Sequence, residues 1–324
     1  MVETAGRITL WGVEVFVAAA DERSISVAAR RLGVSPSSVS QQLTNLETAL
    51  GTLLVDRSAR PLALTPAGGL FLKRAQTILN EAEQARAELT LGAMSHLSRL
   101  RLGMIEDFDA DVTPRLLSDM AADLDGTRFL LETGASHRLH DQLDARALDV
   151  IVAADTGASA PWMEVHPVLE EPFVAAVPKG AIGQADPMEV LRALPLVQYT
   201  ARHHMGRVIS ANLARQNLRL DNRFELDSYH AIMAMVAAGA GWTIITPLGF
   251  FRAQRFRAAA DLIPLPFAPF TRRINLTARQ DVLGDLPRDM ARRLTAVLDD
   301  LVVQPAQKEF PWLRDGVRLL GKQS

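Results

Sequence analysis

Between residues 35 and 45 the chain places Ser35, Pro36, Ser37, Ser38, Ser40, Gln41 and Asn45 opposite an apolar series formed by Val39, Leu43, Leu46 and Leu50. On one helix this spacing gives a buried stripe and a polar face. Short hydroxyl and amide side chains both donate and accept hydrogen bonds, which suits base edges and phosphates in a major groove. Ser26, Arg30 and Arg31 just upstream, and Arg57 and Arg60 just downstream, add a further hydroxyl and the cations that phosphate contact requires. Other chemistry finds less support. His137 and His140 are three apart and His203 and His204 adjacent, but neither pair has a carboxylate or third histidine at ligand spacing, so no metal site is expected. There is no G-x-S-x-G, no Walker A sequence and no dinucleotide fingerprint, so no catalytic residue and no cofactor is assigned. The chain has no cysteine, which excludes disulfides, cysteine-ligated zinc, iron–sulfur clusters and thiol redox sensing.

The elements that must hold the polar face can be read around it. Trp11 to Ala20 has the spacing of a first helix, and Asp21 to Ser24 breaks it. Ser24 or Ser26 can cap a second helix running through Val27, Ala28 and Ala29 to Leu32, and Gly33 supplies a turn with positive φ. Ser35 then caps the third helix, with Pro36 in its first turn where a missing N–H costs nothing. Two helices joined by a short glycine turn, the second polar at its exposed half, predict a helix-turn-helix. Leu53 to Thr65 predicts two short strands around a turn, a wing that carries Arg57 and Arg60.

The chain of 324 residues is 48% hydrophobic and 22% charged, with a formal net charge of −2. Such a balance is unlike that of a uniformly basic protein, but neutralising phosphates needs only a few well-placed cations. No apolar stretch reaches the roughly 18 residues of a spanning helix, and the N-terminus does not read as a secretory signal. A cytoplasmic protein without a membrane partner is expected.

The run SISVAARRLGVSPSSVSQQLTNLETALGTLLVDRSARPLALTPAG carries a serine-led AA-x-x-L helix, a VS followed by a hydrophobic-x-x-LE helix, then LG, a D-R wing and LT-x-AG. It resembles the DNA-binding signature of the LysR-type transcriptional regulators over about sixty residues in one register. Ile25 and Val55 stand where that family usually has Phe, and Pro36 stands where it often has a base-contacting Gln. The resemblance implies a winged helix-turn-helix over 1–65 that binds double-stranded DNA, followed by a linker helix over 66–98. Phe71, Ala75, Ile78, Ala82, Ala85 and Leu89 form a heptad-like seam there, on a helix of about 25 residues and roughly 37 Å. In the family such a helix pairs two subunits; the alternative is an amphipathic helix packed on its own domain. A dimer, a dimer of dimers (a homotetramer) and contact with RNA polymerase are the partners implied.

From Arg99 onward short apolar strands alternate with helices. Strands are predicted at 100–104, 129–133, 149–153, 173–177, 196–199, 224–227, 243–246 and 274–278, with helices at 114–124, 139–147, 205–216, 229–238 and 286–302. The alternation predicts an open, mostly parallel α/β sheet with ligands beyond the strand ends. RLRLGM, LDVIVAA, EEPFVAAVPKG and AAGAGWTIITP resemble stations of the LysR effector domain, a periplasmic-binding-protein-like fold of two α/β subdomains. The resemblance implies an effector domain over 99–303, with subdomain I at about 99–162 and 262–303 and subdomain II at about 163–261, joined by two crossover strands. It places an unidentified small-molecule effector at Ile105, Glu106 and Asp107, at Gly134, Ala135 and Ser136, at Thr200, Ala201 and Arg202, at Ser228 and Tyr229, and at Thr246.

Within that set the acidic run Glu106, Asp107, Asp109 and Asp111 would repel an anion unless it faces away, and its plainer role is to partner the helix dipole ahead of Pro114. Arg202, His203, His204 and Arg207 offer opposing charge or simply a solvated loop. The 304–324 extension passes the family's usual end, and Phe310, Trp312, Leu313, Val317 and Leu320 predict that it packs on the body or on a neighbouring subunit. The function expected is a ligand-modulated, sequence-specific transcriptional regulator. A DNA-bending factor without inducer is the alternative, and an enzyme on the α/β domain has only the fold behind it.

Overall fold

The computed structural model describes residues 7–90, 97, 99–157 and 160–321. The chain divides into two compact units, Met1–Ser98 with Gln142–Leu148, and Arg99–Asp141 with Asp149–Ser324.

In the first unit α1 (Leu10–Glu22), α2 (Ile25–Leu32) and α3 (Pro36–Leu50) enclose a core of Val13, Phe16, Ala28, Ala29, Val39, Leu43 and Leu46. Each helix begins where a hydroxyl satisfies an otherwise orphaned N–H: Thr9 accepts from Gly12 at 3.0 Å, Ser24 from Val27 at 3.4 Å and Ser35 from Ser38 at 3.2 Å. Ser24 is therefore the cap of α2, and Ser26 lies inside the helix on its exposed face. Gly33, at φ 69°, closes α2 in the left-handed region, which permits the tight step into α3.

β1 (Val55–Asp56) and β2 (Ala63–Leu64) pair antiparallel and form the wing. α4 (Pro66–Thr90) then returns across α1, with Phe71 against Phe16 at 5.4 Å between rings and Ala75 fully buried. This divides the expected seam. Phe71 and Ala75 are spent on the chain's own core; Ile78 and Ala85 are exposed, Ala82 is half-buried, and the side chain of Leu89 lies outside the described residues, as do 91–96 and 98 of the expected linker.

The second unit is built on β3 (Arg99–Met104), α5 (Val112–Ala121), β4 (Arg128–Thr133), α6 (Ser136–Asp144) up to Asp141, β5 (Val150–Ala154), β6 (Met163–Pro172), β7 (Val174–Pro178) and α7 (Pro187–Ala193). It continues through β8 (Leu196–Tyr199), α8 (His204–Arg215), β9 (Asn222–Leu226), α9 (Tyr229–Ala237), β10 (Thr243–Ile245), α10 (Pro247–Arg252), α11 (Gln254–Arg257), β11 (Ala260–Pro264), β12 (Thr271–Arg279) and α12 (Leu286–Leu298). α13 (Gln304–Glu309) and β13 (Arg318–Leu319) complete it.

The largest sheet has the order β13-β6-β12-β5-β3-β4, and β10-β7-β11 and β8-β9 form the sheets of a second lobe. The expectation of a mostly parallel sheet is corrected here. β3 runs parallel to β4 and β5, but β12 is antiparallel to both β5 and β6, and β13 is antiparallel to β6. The cause is that β6 and β12 are the long segments that cross between lobes, entering the large sheet in opposite directions. Residues 163–172, placed beyond the first subdomain by sequence, pair within its sheet, and β11 pairs with β7.

The C-terminal extension folds back on this unit. Leu313 and Val317 are fully buried, Phe310 sits 6.0 Å from both Phe250 and Phe251, and Glu309 pairs with Arg257. No described helix is long and apolar enough to cross a membrane.

Candidate functional site

The polar face of α3 is formed as its spacing requires. Ser35, Pro36, Ser37, Gln41, Thr44 and Asn45 are exposed, with Ser38 and Ser40 half-buried. The Ser35 and Ser37 hydroxyls lie 2.8 Å apart, and Gln41 Nε2 donates to Asn45 Oδ1 at 3.0 Å, so these side chains brace one another along the helix. The cations differ in what they are free to do. Arg30 is exposed, whereas Arg31 is 3.4 Å from Asp21 and 3.2 Å from Glu22. Arg57 donates to Glu47 Oε2 at 2.8 Å and to Thr44 Oγ1 at 3.0 Å; Arg60 donates to the carbonyl oxygens of Arg57 and Ala59. Glu47 is the element that sequence reasoning had only as part of a motif. Buried at 5% exposure, it accepts the Leu54 and Val55 N–H groups with Oε1, fixing the wing's first strand to the recognition helix. At the wing's tip two bonds from Ser58 hold the Asp56 carboxyl below its ordinary range.

In the second unit a cavity of about 90 Å³ opens where the strands end and several helices begin. That is several times the roughly 10–15 Å³ one water needs. Ile105, Glu106 and Asp107 follow β3, Gly134, Ala135 and Ser136 lead into α6, and Tyr229 opens α9; all seven line it. The cavity does not include Thr200, Ala201, Arg202, Ser228 or Thr246. The reason lies in the short turn after β8. His203 N donates back to Thr200 O at 3.0 Å, Ala201 and Arg202 are turned to solvent, and His203, His204 and Met205 take the wall instead. Gly206 permits this, since a Cβ there would stand 2.2 Å from Thr200 O.

Thr246 is fully buried beneath the cavity. It caps α10 and accepts from Arg272 Nη2 at 3.1 Å.

Arg272, on β12, is among the lining residues that the sequence reading missed, with Ala154, Phe173, Tyr199, Met205, Val208 and Asp227. Its Nη2 lies 2.7 Å from Asp107 and 2.6 Å from Glu171, and Nε donates to Glu171 at 2.8 Å. Burial pushes the Glu171 carboxyl above its ordinary range against the pull of Arg272; burial works against the Arg272 charge as well, but Glu171 and Asp107 together outweigh it and raise Arg272 above its own range. A legible signal existed: Glu170-Glu171 and Arg272-Arg273 fall opposite one another in the β6–β12 register. Three acids of the run also have side-chain partners, beyond their place at helix starts. Asp107 pairs with Arg272, Asp109 accepts from Thr133 at 2.8 Å, and Asp111 pairs with Arg252.

Aromatic and titratable groups complete the cavity. Phe173, Tyr199 and Tyr229 line it, with both phenols raised above their ordinary value by burial first and by Asp107 second, Tyr229 to about 12. Burial, then Arg207, holds His204 below the usual histidine range. The described residues contain no group of three or more His, Cys, Asp or Glu able to hold a metal ion.

Comparison with known proteins accords with both halves. Residues 10–69 match the family described as "Bacterial regulatory helix-turn-helix protein, lysR family", and residues 95–299 match "LysR substrate binding domain". A "Probable hydrogen peroxide-inducible genes activator" from Mycobacterium avium is 30% identical over 299 residues, covering 91% of this chain and 94% of that protein. The Escherichia coli "DNA-binding transcriptional dual regulator OxyR" is 26% identical over 239 residues, covering 73% and 78%. Among solved structures, a full-length OxyR variant from Pseudomonas aeruginosa superposes with a TM-score of 0.65 at 21% identity, covering 90% of this chain and 95% of that one. CbnR, a LysR family transcriptional regulator, superposes at 0.63 with 20% identity, covering 89% and 99%. The chain belongs to the LysR family: it is a helix-turn-helix, DNA-binding transcriptional regulator modulated by a small effector, and not an enzyme.

Proposed function

We propose that α3 reads operator bases through Ser37, Ser38, Ser40, Gln41 and Asn45, with Ser35 and Pro36 at its leading end, while Ser26, Arg30 and Arg60 approach the phosphates. The exposed, mutually braced polar face supports this reading, because side chains held in place before binding lose less freedom on contact. Arg31 and Arg57 are already paired with carboxylates, and their part is to orient the motif and its wing.

The effector binds noncovalently in the second unit's cleft. The observation that carries this is that its wall is contributed by both lobes and by the crossover strand that joins them, through Asp107, Tyr199 and Arg272. A ligand there touches both lobes at once, so it binds two lobe arrangements with different affinity, as any modulation of DNA contact requires. Curated relatives are named hydrogen peroxide-inducible, but oxidation of a thiol is closed to a chain with no cysteine. The protein acts in the cytoplasm on double-stranded DNA, as a dimer through the unspent part of the α4 seam and as a dimer of dimers on paired sites, with RNA polymerase as the partner that reads the outcome. The domains of this scheme are the winged motif over 1–65, the linker over 66–98, the effector domain over 99–303 and the extension over 304–324.

The test is selection of genomic fragments by the purified full-length protein at moderate salt, beside Gln41→Ala. The expected result is a dyad-symmetric site that the variant binds more weakly by about 1–3 kcal/mol with unchanged thermal stability. A variant that selects the same fragments with the same affinity overturns the recognition assignment.

A further inference from the structure

The cleft is lined by two sets of polar groups, donors and carboxylates, that keep hydrogen-bonding capacity not used within the protein. On the donor side, Arg272 makes its hydrogen bonds through Nε and Nη2, leaving Nη1 outside them. The Tyr199 hydroxyl, on a side chain only 6% exposed, has no hydrogen-bond partner among the described residues. Ser136 accepts from Ala154 N at 3.1 Å and keeps its own proton to donate. The ring is buried while the hydroxyl stays open to the cavity, so it presents a donor there that a ligand acceptor can engage. On the acceptor side, Glu106 and Asp227 line the same cavity, both solvent-exposed and neither in an ion pair among the described residues. Asp107 and Glu171 already match the Arg272 charge twice over.

These groups favour a ligand that carries both signs over one that carries a single charge. A carboxylate without a cation would satisfy Arg272 and Tyr199 but face Glu106 and Asp227 uncompensated. An amine without an acceptor would satisfy those carboxylates and leave Arg272 Nη1 and the phenol unpaired. Ile105, Phe173, Met205 and Val208 line the same cavity and offer surface to an apolar body. We propose that the ligand of this cleft is a small aminocarboxylate: its ammonium group sits against Glu106 and Asp227, and its carboxylate oxygens accept from Arg272, Tyr199 and Ser136. The proposal rests on the reading of the cleft as the effector site and adds the ligand's class.

Calorimetry on the full-length protein tests it with matched probes. L-leucine is compared with 3-methylbutylamine, which lacks its carboxylate, and 4-methylpentanoate, which lacks its ammonium; L-alanine, ethylamine and propionate repeat the comparison at smaller size. In at least one series the amino acid is expected to bind about tenfold more tightly than either counterpart, the factor one charged hydrogen-bonded contact contributes. Glu106→Gln with Asp227→Asn should reduce the amino acid to the affinity of its carboxylate counterpart. Tyr199→Phe should narrow its advantage over the amine. Unchanged thermal unfolding of the free variants shows that these losses are local. The proposal is overturned if either counterpart equals the amino acid in both series, or if no probe binds. An operator footprint separates this from the parent reading. If 4-methylpentanoate alone binds and shifts the footprint, the effector site stands and the ligand class falls. If an amino acid binds as expected and the footprint does not move, the class stands and the effector role falls.

Discussion

Arg57 reaches back from the wing to donate to Glu47 Oε2 at 2.8 Å, while Glu47 Oε1 accepts the backbone N–H groups of Leu54 and Val55. One carboxylate buried at the end of the recognition helix thus sets the place of the wing, and the arginine outside it is the partner that offsets its burial. Removing the acid leaves two buried donors unsatisfied and a cation without its partner. Glu47→Ala should cost about 3–5 kcal/mol, read as the denaturation midpoint of the protein. Arg57→Ala, whose side chain is 41% exposed, should cost only about 1 kcal/mol, with the slope of log affinity against log salt unchanged. A slope reduced by about one phosphate contact would instead place this guanidinium on the DNA backbone.

Acid acts on the second unit through its histidines. Burial lowers both His137 and His204, with Arg207 the second cause in each case. The folded state therefore favours the neutral rings, and the unfolded chain takes up protons first as pH falls through about 6.5. Stability is complete above that value and declines below it until the folded rings also titrate. Denaturation midpoints at pH 7.5 and 5.5 should differ in this direction, and His204→Gln should narrow the difference. Equal midpoints in the unaltered protein would refute the coupling.

The first unit was legible because its signals are local. Ser35 with Pro36 starts α3, Gly33 and Gly51 stop α2 and α3, and each acts within a turn of its own position. The cleft was legible only by half, since its closing contacts join distant segments. The Arg272–Asp107 pair spans residues 165 apart, and no periodicity connects them. β6 was hidden for another reason. Its sequence MEVHPVLEEP carries Glu, His and Pro, and Pro167 is tolerated because the β6–β12 register shifts there. Thr200 and Arg202 were placed at the cleft by resemblance, but one tight turn hands the wall to His203 and His204.

That turn makes Gly206 a sensitive point. An added Cβ would stand 2.2 Å from Thr200 O and 2.5 Å from Tyr199 O, both backbone atoms that cannot swing aside. Gly206→Ala should shift the start of α8 and the Tyr199 wall together, at a cost of about 1–3 kcal/mol. The measurement is paired: ligand affinity should fall at least tenfold, while binding to the operator without ligand stays as it was. A variant with full ligand affinity would show that the turn does not position the wall.

The extension is a structural part of the second unit. β13 pairs with β6 through Arg318↔Glu170 and Leu319↔Leu169, and Arg318 Nε donates to Glu170 at 2.9 Å, opposite Arg273 at 2.7 Å. These two arginines hold the Glu170 carboxyl below its ordinary range. Stopping the chain after Val303 removes the buried Leu313 and Val317, uncovers Phe250 and Phe251, and turns the crossover strand β6 into an open edge. At about 1.5–3 kcal/mol for each buried aliphatic side chain, the loss should be about 3–6 kcal/mol, an upper figure because the unfolded chain also buries some of this surface. The truncated protein should therefore melt earlier and, with a bare strand edge beside exposed phenylalanines, scatter light on heating before the full chain does. Restoring residues 304–321 with Arg318→Ala separates the causes: the buried side chains and the strand return, so most of the stability should return, and only the contribution of the Glu170 pair should be missing. A truncated chain that melts with the full-length protein would mean that the extension rests on the sheet without supporting it.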